Sequence, residues 1–393
     1  MRLSPLVPVL QRFPHRALDS IPAAVEQQLE DGALTAGLRP GARIAIGAGS
    51  RGIANLSEVV RSAVSCFLRL GFKPFVVPAM GSHGGGTAEG QADILARYGI
   101  TEASIGCPVV SSIEVVPLGR SADGIETFID KQAFESDGIV VVNRIKWHTT
   151  FEDNIESGLL KMIAIGLGKV EGASTYHQNI VRKGFGPVIR SVGRHVLASG
   201  KILGGLAILE DAHHDTARIA AIRAEDIERE EERLLALAKS WKARILFDEV
   251  DVLIVDEMGK HISGVGMDSK VVNRHPYGGA NVWPDTPRIY RIFVRDLQDG
   301  NAVGIGMADM VTERLVKRID WKMTKVNALT ASNLHSIRTP LQCATDREGI
   351  ETLARTVGLR DSLDVKFVWI KNTLELADLL VSENLLDAPR SDI

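Results

Sequence analysis

Long apolar runs and clustered cysteines are scarce in this sequence, and their scarcity excludes several classes of protein. No stretch of about 18 apolar residues is present, which argues against a transmembrane helix. The N-terminal segment contains prolines and no uninterrupted apolar run, so no secretory signal is indicated. The three cysteines, Cys66, Cys107 and Cys343, include no C-x-x-C pair. We therefore expect neither a disulfide framework nor a structural zinc cluster, and a cytoplasmic protein.

An excess of basic charge is also lacking. The 46 basic and 49 acidic side chains give a formal net charge of −3, which offers no footprint for nucleic acid or for an anionic membrane. Hydrophobic residues make up 45% of the chain and charged residues 24%, as in ordinary globular proteins. Small-molecule chemistry is the expectation, and the sequence leaves a homo-oligomer open.

The order of apolar segments predicts an α/β fold in two domains. Short β-branched runs alternate with amphipathic stretches, a pattern typical of mostly parallel sheets. At 393 residues the chain exceeds one typical core. The charged stretch 218–241 reads as a long helix, and its end suggests domains of 1–242 and 243–393. We expect the first to bind a cofactor and the second to complete a substrate cleft between them.

Polar side chains follow several predicted strands of the first domain. The candidates for proton transfer, anion binding or metal binding are Arg51, His83, His148, Lys161 and His177. Carboxyl ends of parallel strands meet at one edge of a sheet, so a shared site is the economical interpretation. Imidazoles exchange protons near neutral pH, as a two-base mechanism requires, and arginine binds carboxylates or phosphates through a two-pronged hydrogen bond.

Each of these residues also has a structural interpretation. A lone histidine after a strand is more often structural than catalytic, and Arg51 can anchor a surface carboxylate. Lys161 lies in the apolar pattern "SGLLKMIAIGL", where a lysine is costly unless it is paired, covalently used or reaches the surface. A neutral, desolvated lysine is in turn a good nucleophile. His177 can cap a turn or bind a metal.

The glycine-rich loops match neither common nucleotide fingerprint. They do not end in G-K-[ST], and no G-x-G-x-x-G occupies the first strand-to-helix turn. A P-loop kinase or a Rossmann dehydrogenase is therefore disfavoured. A phosphate-bearing cofactor held by backbone N–H groups remains compatible with these loops.

The ordered set from Arg51 to His177, with "NRIKWHTTFEDNIESGLLKM" (143–162) at its centre, resembles the nickel-dependent lactate racemase family. The resemblance covers most of residues 40–210 as a series of short motifs. It implies two α/β domains and a nickel-pincer nucleotide, a nicotinate-derived mononucleotide that carries nickel. Cofactor-synthesis proteins are the partners that would supply it.

The resemblance also implies a role for each matching residue. Lys161 would tether the cofactor, His177 would ligate nickel and contact the cofactor, and His83 with His148 would transfer protons. Arg51 would contact the substrate. The chemistry agrees, because removing hydrogen from a 2-hydroxy acid as hydride avoids a poorly stabilised carbanion.

Several positions depart from the family pattern. Ala48 and Gly52 stand where the lactate-specific pattern has an acidic residue and a proline. The family's Gln-x-x-Lys pair would fall on Glu257 and Lys260, as substrate and cofactor contacts respectively. A carboxylate beside an anionic substrate is unfavourable unless a cation offsets it. These departures favour a sugar acid or a hydroxy diacid over lactate.

The sequence thus predicts a racemase or epimerase of a 2-hydroxy acid. An alternative is a protein of the same fold that binds an anionic sugar or nucleotide without redox catalysis. A third, weaker possibility is a hydrolase or lyase that uses Asp256, Glu257 and His261 with a divalent ion. His261 and Asp268 would extend the substrate pocket or simply form a turn.

Overall fold

The chain divides into two compact units. A computed structural model describes residues 2–49, 52–330, 333–358 and 361–387. One unit comprises Pro14–Lys242, and the other comprises Met1–Phe13 together with Ala243–Ile393. The expected N-terminal domain, 1–242, thus differs from the observed unit at its start. The reason is that the first strand, β1, pairs in antiparallel fashion with the last strand of the chain.

Strands and helices are numbered along the whole chain. The N-terminal segment contributes β1 (Leu6–Leu10). The elements of the unit Pro14–Lys242 are α1 (Ile21–Leu29), β2 (Arg43–Ala48), α2 (Leu56–Arg69), β3 (Lys73–Pro78), α3 (Ala88–Arg97), α4 (Glu102–Ile105), β4 (Val115–Arg120), β5 (Glu126–Asp130), α5 (Lys131–Phe134), β6 (Gly138–Arg144), α6 (Leu159–Lys161), a π-helical turn (Met162–Gly166), α7 (Lys169–Lys183), α8 (Phe185–Leu197), β7 (Ile202–Glu210), β8 (Thr216–Arg223) and α9 (Ile227–Trp241).

The second unit continues the numbering. Its elements after β1 are β9 (Glu249–Met258), β10 (Arg288–Leu297), β11 (Met310–Thr312), α10 (Glu313–Lys317), α11 (Trp321–Thr330), β12 (Leu341–Cys343), α12 (Asp346–Ala354), β13 (Phe367–Ile370) and β14 (Asp378–Ser382).

Each unit is built on one mostly parallel sheet, which confirms the predicted α/β class. The Pro14–Lys242 unit has a five-stranded sheet in the order β3-β2-β6-β7-β8, with only β8 antiparallel to its neighbour. The other unit has a seven-stranded sheet in the order β1-β14-β13-β9-β10-β11-β12, in which β14 runs antiparallel to both of its neighbours, β1 and β13, and the other pairs are parallel.

Alternation along the central strands builds a core on both faces of the five-stranded sheet. Ile44 and Ile46 of β2 pack with α1 and α2 on one face. Ala45, between them, belongs to the core on the opposite face, under α7 and α8. Burying an isoleucine side chain fully stabilises the fold by about 1.5–3 kcal/mol relative to leaving it exposed. Strands with such apolar runs on both faces therefore lie in the centre of the sheet.

Two predicted helices differ from the observed elements. The stretch 218–241 forms a helix only over Ile227–Trp241, because β8 (Thr216–Arg223) uses its first residues to close the sheet edge. The sequence of 307–319 also favours one helix, but this stretch contains β11 and the short α10. In both places β-sheet pairing overrides local helical periodicity.

Candidate active site

Three neighbouring parallel strands, β3, β2 and β6, end at the same edge of the five-stranded sheet. His83 lies in the loop after β3 and His148 in the loop after β6. Arg51, which follows β2 in the sequence, lies outside the described residues. The sheet therefore brings the loops that carry His83 and His148 to one edge, as the parallel topology requires.

Glycines allow the His83 loop to pack against the start of α3. Gly84 has φ +65°, and a Cβ there would lie 2.4 Å from the backbone of Gly90. Thr87 caps α3 by accepting a hydrogen bond from the Gly90 N–H at 3.0 Å. The carbonyl of His83 accepts hydrogen bonds from Gly86 N–H at 3.1 Å and from Gln91 Nε2 at 3.3 Å. His83 is thus held by its backbone while its ring is half-buried.

A buried cation underlies this loop. Lys169 is fully buried, and its Nζ donates to the carbonyl of Pro78 at 2.7 Å and to Gln91 Oε1 at 3.1 Å. The same Nζ forms an ion pair with the buried Asp130 Oδ2 at 3.0 Å. Burial lowers the pKa of Lys169, and the Asp130 charge opposes that shift. Gln91 links Lys169 to the His83 loop, because its Nε2 donates hydrogen bonds to the carbonyls of Gly81 and His83.

The His148 loop is organised by a second buried carboxylate, Glu156. It accepts hydrogen bonds from the backbone N–H of His148 and, at 3.4 Å, of Asp153. Lys239 of α9 pairs with it at 2.5 Å. Glu156 therefore positions the segment and is not merely a solvated helix-start charge.

Hydrogen bonding orients the ring of His148. Its Nδ1 accepts the N–H of Thr150 at 3.0 Å, so the neutral ring carries its proton on Nε2. The ring packs beside Phe151 and Phe185, with centroid distances of 4.7 and 5.4 Å. In the neutral state this arrangement makes Nε2–H a hydrogen-bond donor.

Lys161 stands where the helix changes its hydrogen-bond pattern. It is the last residue of α6, and a π-helical turn follows at once. Such turns concentrate at functional sites. Its Nζ donates to Ser157 Oγ at 3.3 Å. The π-helical turn is also tied to the His83 loop, because the Gly81 N–H donates to the Gly166 carbonyl at 3.1 Å.

His177 lies on α7 near Lys161. Burial is the main cause that lowers the pKa of His177, and the positive charge of Lys161 adds to it. Both effects favour a neutral imidazole with a lone pair available for a metal. The positive charge of Lys161 thus acts on the imidazole of His177.

The helix that carries Lys161 begins on a buried carboxylate. Glu231 of α9 is fully buried, and its Oε2 accepts the Leu160 N–H at 2.8 Å. Its Oε1 has no hydrogen-bond partner among the described residues. Burial raises the pKa of Glu231 to about 7. A Cβ at Gly158 would lie 2.1 Å from this carboxylate, so only glycine fits there.

The remaining candidates belong to the other unit. Glu257, on β9, accepts a hydrogen bond from Asn372 Nδ2 at 3.0 Å. Lys260 donates from Nζ to Asn327 Oδ1 at 2.5 Å and from its backbone N–H to Asp299 at 2.9 Å.

His261 and Asp268 take part in loop structure. His261 Nδ1 lies 3.5 Å from Asp299 Oδ2. Asp268 is buried, accepts the Lys270 N–H at 3.0 Å and donates its own N–H to Thr373 Oγ1. These contacts give the turn-forming alternative a structural basis.

Sequence reasoning missed the residues that hold the site together. Lys169, Gln91, Glu156 and Glu231 are all buried. A lysine between glycines in "GLGKVEG" was a usable signal for Lys169. Glu231, by contrast, lies in "EREEER", where nothing separates a buried glutamate from its exposed neighbours.

The fold resembles a solved structure with a known activity. The lactate racemase apoprotein from Thermoanaerobacterium thermosaccharolyticum superposes with a TM-score of 0.53 over 91% of this chain and 94% of that one, at 13% sequence identity. At this identity the likeness establishes the fold alone. No family model and no curated protein matches the sequence. Within the described residues, no helix has the length and apolar character to cross a bilayer.

Proposed function

We propose that this protein is a nickel-dependent racemase or epimerase of a 2-hydroxy acid. The observation that carries the proposal is that one unit holds Lys161 at the end of α6, His177 on α7, and a sheet edge whose loops bear His83 and His148. An amine, a neutral imidazole and two further imidazoles are the groups that such a reaction requires. The racemase-like fold supports the same class of reaction.

The donor set fits a nickel-pincer nucleotide. Lys161 would hold the cofactor covalently through Nζ, and His177 would ligate the metal with the lone pair that its lowered pKa keeps available. When bound, the cofactor supplies a hydride acceptor for the substrate carbon. Lys260 as a second cofactor contact rests on the resemblance of the sequence motif alone.

The protein's own residues handle the proton. One histidine of the pair His83 and His148 would take the hydroxyl proton of the substrate, and the other would return a proton after the flat 2-oxo acid is reduced on its opposite face. The Nε2–H of neutral His148 can donate a hydrogen bond to a substrate oxygen, and returning a proton would use the imidazolium form of a histidine. Arg51 would bind the substrate carboxylate.

The substrate we favour is a sugar acid or a hydroxy diacid, not lactate. Glu257 is a carboxylate where the family pattern has an amide, and it accepts hydrogen bonds readily. Substrate hydroxyl groups would satisfy it, whereas the methyl group of lactate would not.

Nickel content and intact mass test the proposal. The protein, co-expressed with cofactor-synthesis proteins, should carry about one nickel and a covalent mass increase. Lys161→Ala should abolish the mass increase, and His177→Ala should lower the nickel content while leaving the covalent attachment in place. Lys183→Ala, an exposed lysine at the end of α7, is the matched control and should behave as wild type. An unmodified mass and no nickel in the wild-type protein would refute the proposal.

The second candidate is an anion-binding protein without redox catalysis. Glu257 and the altered arginine motif favour it, because both depart from the lactate-specific pattern. Undiminished binding of acid sugars by the Lys161→Ala variant, in a thermal-shift screen, together with absence of epimerisation by the wild type, would favour this candidate.

A further inference from the structure

A charged pocket of about 530 Å³ opens at the carboxyl ends of the strands in the seven-stranded sheet. Asp256 and Glu257 lie near the end of β9, and Asp296 lies beside Glu257 on β10. Lys371 directly follows β13. These three strands are neighbours in the order β13-β9-β10 and run parallel. Ligands bind at this edge in open α/β sheets, and the volume suits a small molecule.

Both negatively and positively charged side chains line this pocket. Its carboxylates are Asp256, Glu257 and Asp296, and its cations are Arg295, Arg314, Arg318 and Lys371. The cations of this lining can donate charged hydrogen bonds to a ligand, and the carboxylates can accept them.

Internal ion pairs hold the arginines in place. Arg295 bonds to Asp256 and, through Nε at 3.0 Å, to Asp346. Arg314 Nη2 donates to Asp346 Oδ1 at 2.9 Å, and Arg318 Nη1 donates to Asp296 Oδ1 at 2.7 Å. A ligand would therefore meet arginines that are already ordered, which lowers the entropic cost of binding.

These pairs leave donors unused. Within the described residues, neither Nε of Arg318 nor Nη1 of Arg314 has a hydrogen-bond partner in the protein. Among the described residues, the Lys371 ammonium donates hydrogen bonds only to Glu375, and an ammonium group has three N–H donors. Three half-exposed cations thus retain the capacity to donate to an anion.

The carboxylates likewise leave acceptors unused. Glu257 uses Oε1 for Asn372, and Asp256 uses Oδ1 for both Arg295 and Trp369. Within the same described residues, Glu257 Oε2 and Asp256 Oδ2 accept no hydrogen bond. Carboxylate oxygens of this kind repel anions but bind hydroxyl groups.

We propose that this pocket binds a polyhydroxylated acid, with its acid group on Arg314, Arg318 and Lys371 and its hydroxyl groups on Asp256 and Glu257. A simple anion would satisfy the cations but leave the carboxylates facing its charge. A neutral polyol would satisfy the carboxylates but leave the cations unused. A ligand with both groups matches the whole lining. The inference is argued from contacts within this unit; because Glu257 is also the substrate contact proposed above, the ligand class named here rests in part on the proposed function.

Calorimetric titration of the full chain tests the pocket with four probes: D-gluconate, D-sorbitol, propionate and inorganic phosphate. We expect gluconate to bind at least tenfold more tightly than the other three. Arg314→Gln and Arg318→Gln should each weaken gluconate binding at least tenfold, and Glu257→Gln should weaken it several-fold. Arg347→Gln removes an exposed arginine of α12 outside this lining and should leave binding unchanged.

The other outcomes count against the pocket. Absence of gluconate binding, or equal binding by the wild type and both arginine variants, would overturn it. Phosphate binding as tight as that of gluconate would reduce the pocket to a generic anion site and overturn the polyhydroxy assignment. Loss of gluconate binding in His148→Ala, with retention in Arg318→Gln, would place the ligand at the proposed racemase site instead. Thermal melting of each variant separates these results from loss of fold.

Discussion

At the scale of single residues, buried charge has the largest consequences in this protein. Lys169 and Asp130 are both fully buried and paired, and Glu231 is buried with one oxygen unpartnered among the described residues. Lys169 bonds to the backbone at the end of β3, which leads to His83, and Glu231 bonds to the Leu160 N–H next to Lys161. Buried ionic groups of this kind cost desolvation and specify one arrangement only when their partners are present.

Lys169→Met should destabilise the protein by about 3–5 kcal/mol, because it leaves the Asp130 carboxylate buried without a counter-charge. The double variant Lys169→Met with Asp130→Asn should recover part of that loss. Urea unfolding followed by circular dichroism measures both. Lys131→Met, which removes an exposed lysine paired with Glu114, is the control and should leave stability close to that of the wild type. Equal stabilities of the two lysine variants would contradict a structural role of Lys169.

Glu231 should make stability depend on pH. Its folded pKa of about 7 lies above the ordinary 4.5, so the folded protein holds this proton more tightly than the unfolded chain. The stabilisation of the folded state by protonated Glu231 is complete below about pH 4.5, falls as the pH rises, and is lost above about pH 7. From pH 4.5 to 8 this amounts to about 3 kcal/mol.

The variant Glu231→Gln isolates that contribution. Its stability relative to wild type should rise between pH 5.5 and pH 8, because only the wild type ionises a buried group over this interval. Urea midpoints at the two pH values measure the difference. A pH dependence identical to that of the wild type would show that Glu231 does not titrate in this range.

At the scale of elements, the junction of α6 with the π-helical turn sets the position of Lys161. Gly166 permits the turn, because a Cβ there would lie 2.5 Å from Met162 Sδ and 2.7 Å from the Ala79 carbonyl. The helix thus approaches the end of β3 as closely as backbone allows. This close approach couples Lys161 to the loop that carries His83.

Gly166→Ala should therefore destabilise this junction by about 1–3 kcal/mol through overpacking. Hydrogen exchange should show faster exchange at Gly81, whose N–H bonds to the Gly166 carbonyl. Gly106→Ala is the control: it meets no atom within 4 Å, although its φ of +78° carries a backbone cost. Unchanged exchange at Gly81 in the Gly166 variant would contradict the coupling.

The elements also show what the sequence could predict. β2, β3, β6, β9 and β10 were predictable because their buried β-branched runs end in glycine or polar residues. Residues 218–223 were not, because "RIAAIR" fits a helix and an edge strand equally well. The π-helical turn has no distinct sequence signal, since "MIAIG" reads as ordinary apolar helix.

At the scale of the whole molecule, the N-terminal strand belongs to the unit that the C-terminal part of the chain forms. β1 pairs with β14 over Leu6–Leu10 and Asp378–Ser382. Sequence periodicity predicts strands but not their partners when those partners lie at opposite ends of the chain. The five candidate residues from Arg51 to His177 could be identified from their order along the chain. The buried groups that support them could be identified only in the structure.

Deletion of residues 2–13 should expose one edge of β14. Its outward-facing amides should lose protection from hydrogen exchange, because their β1 partners are gone. The strands β2, β3 and β6, which lie in the other unit, should keep their protection. Mass-spectrometric hydrogen exchange measures both sets of amides, and equal deprotection in both units would contradict this division of the chain.

The most direct test of the proposed function is the fate of the substrate hydrogen. Cofactor-loaded protein would be incubated in deuterium oxide with a library of 2-hydroxy acids, sugar acids included, followed by chiral analysis and mass spectrometry. Inversion of a substrate with little deuterium on the inverted carbon is the predicted result, because the hydride returns to the carbon it left. Inversion with full deuterium incorporation would contradict hydride transfer, and absence of inversion across the library would contradict the racemase assignment.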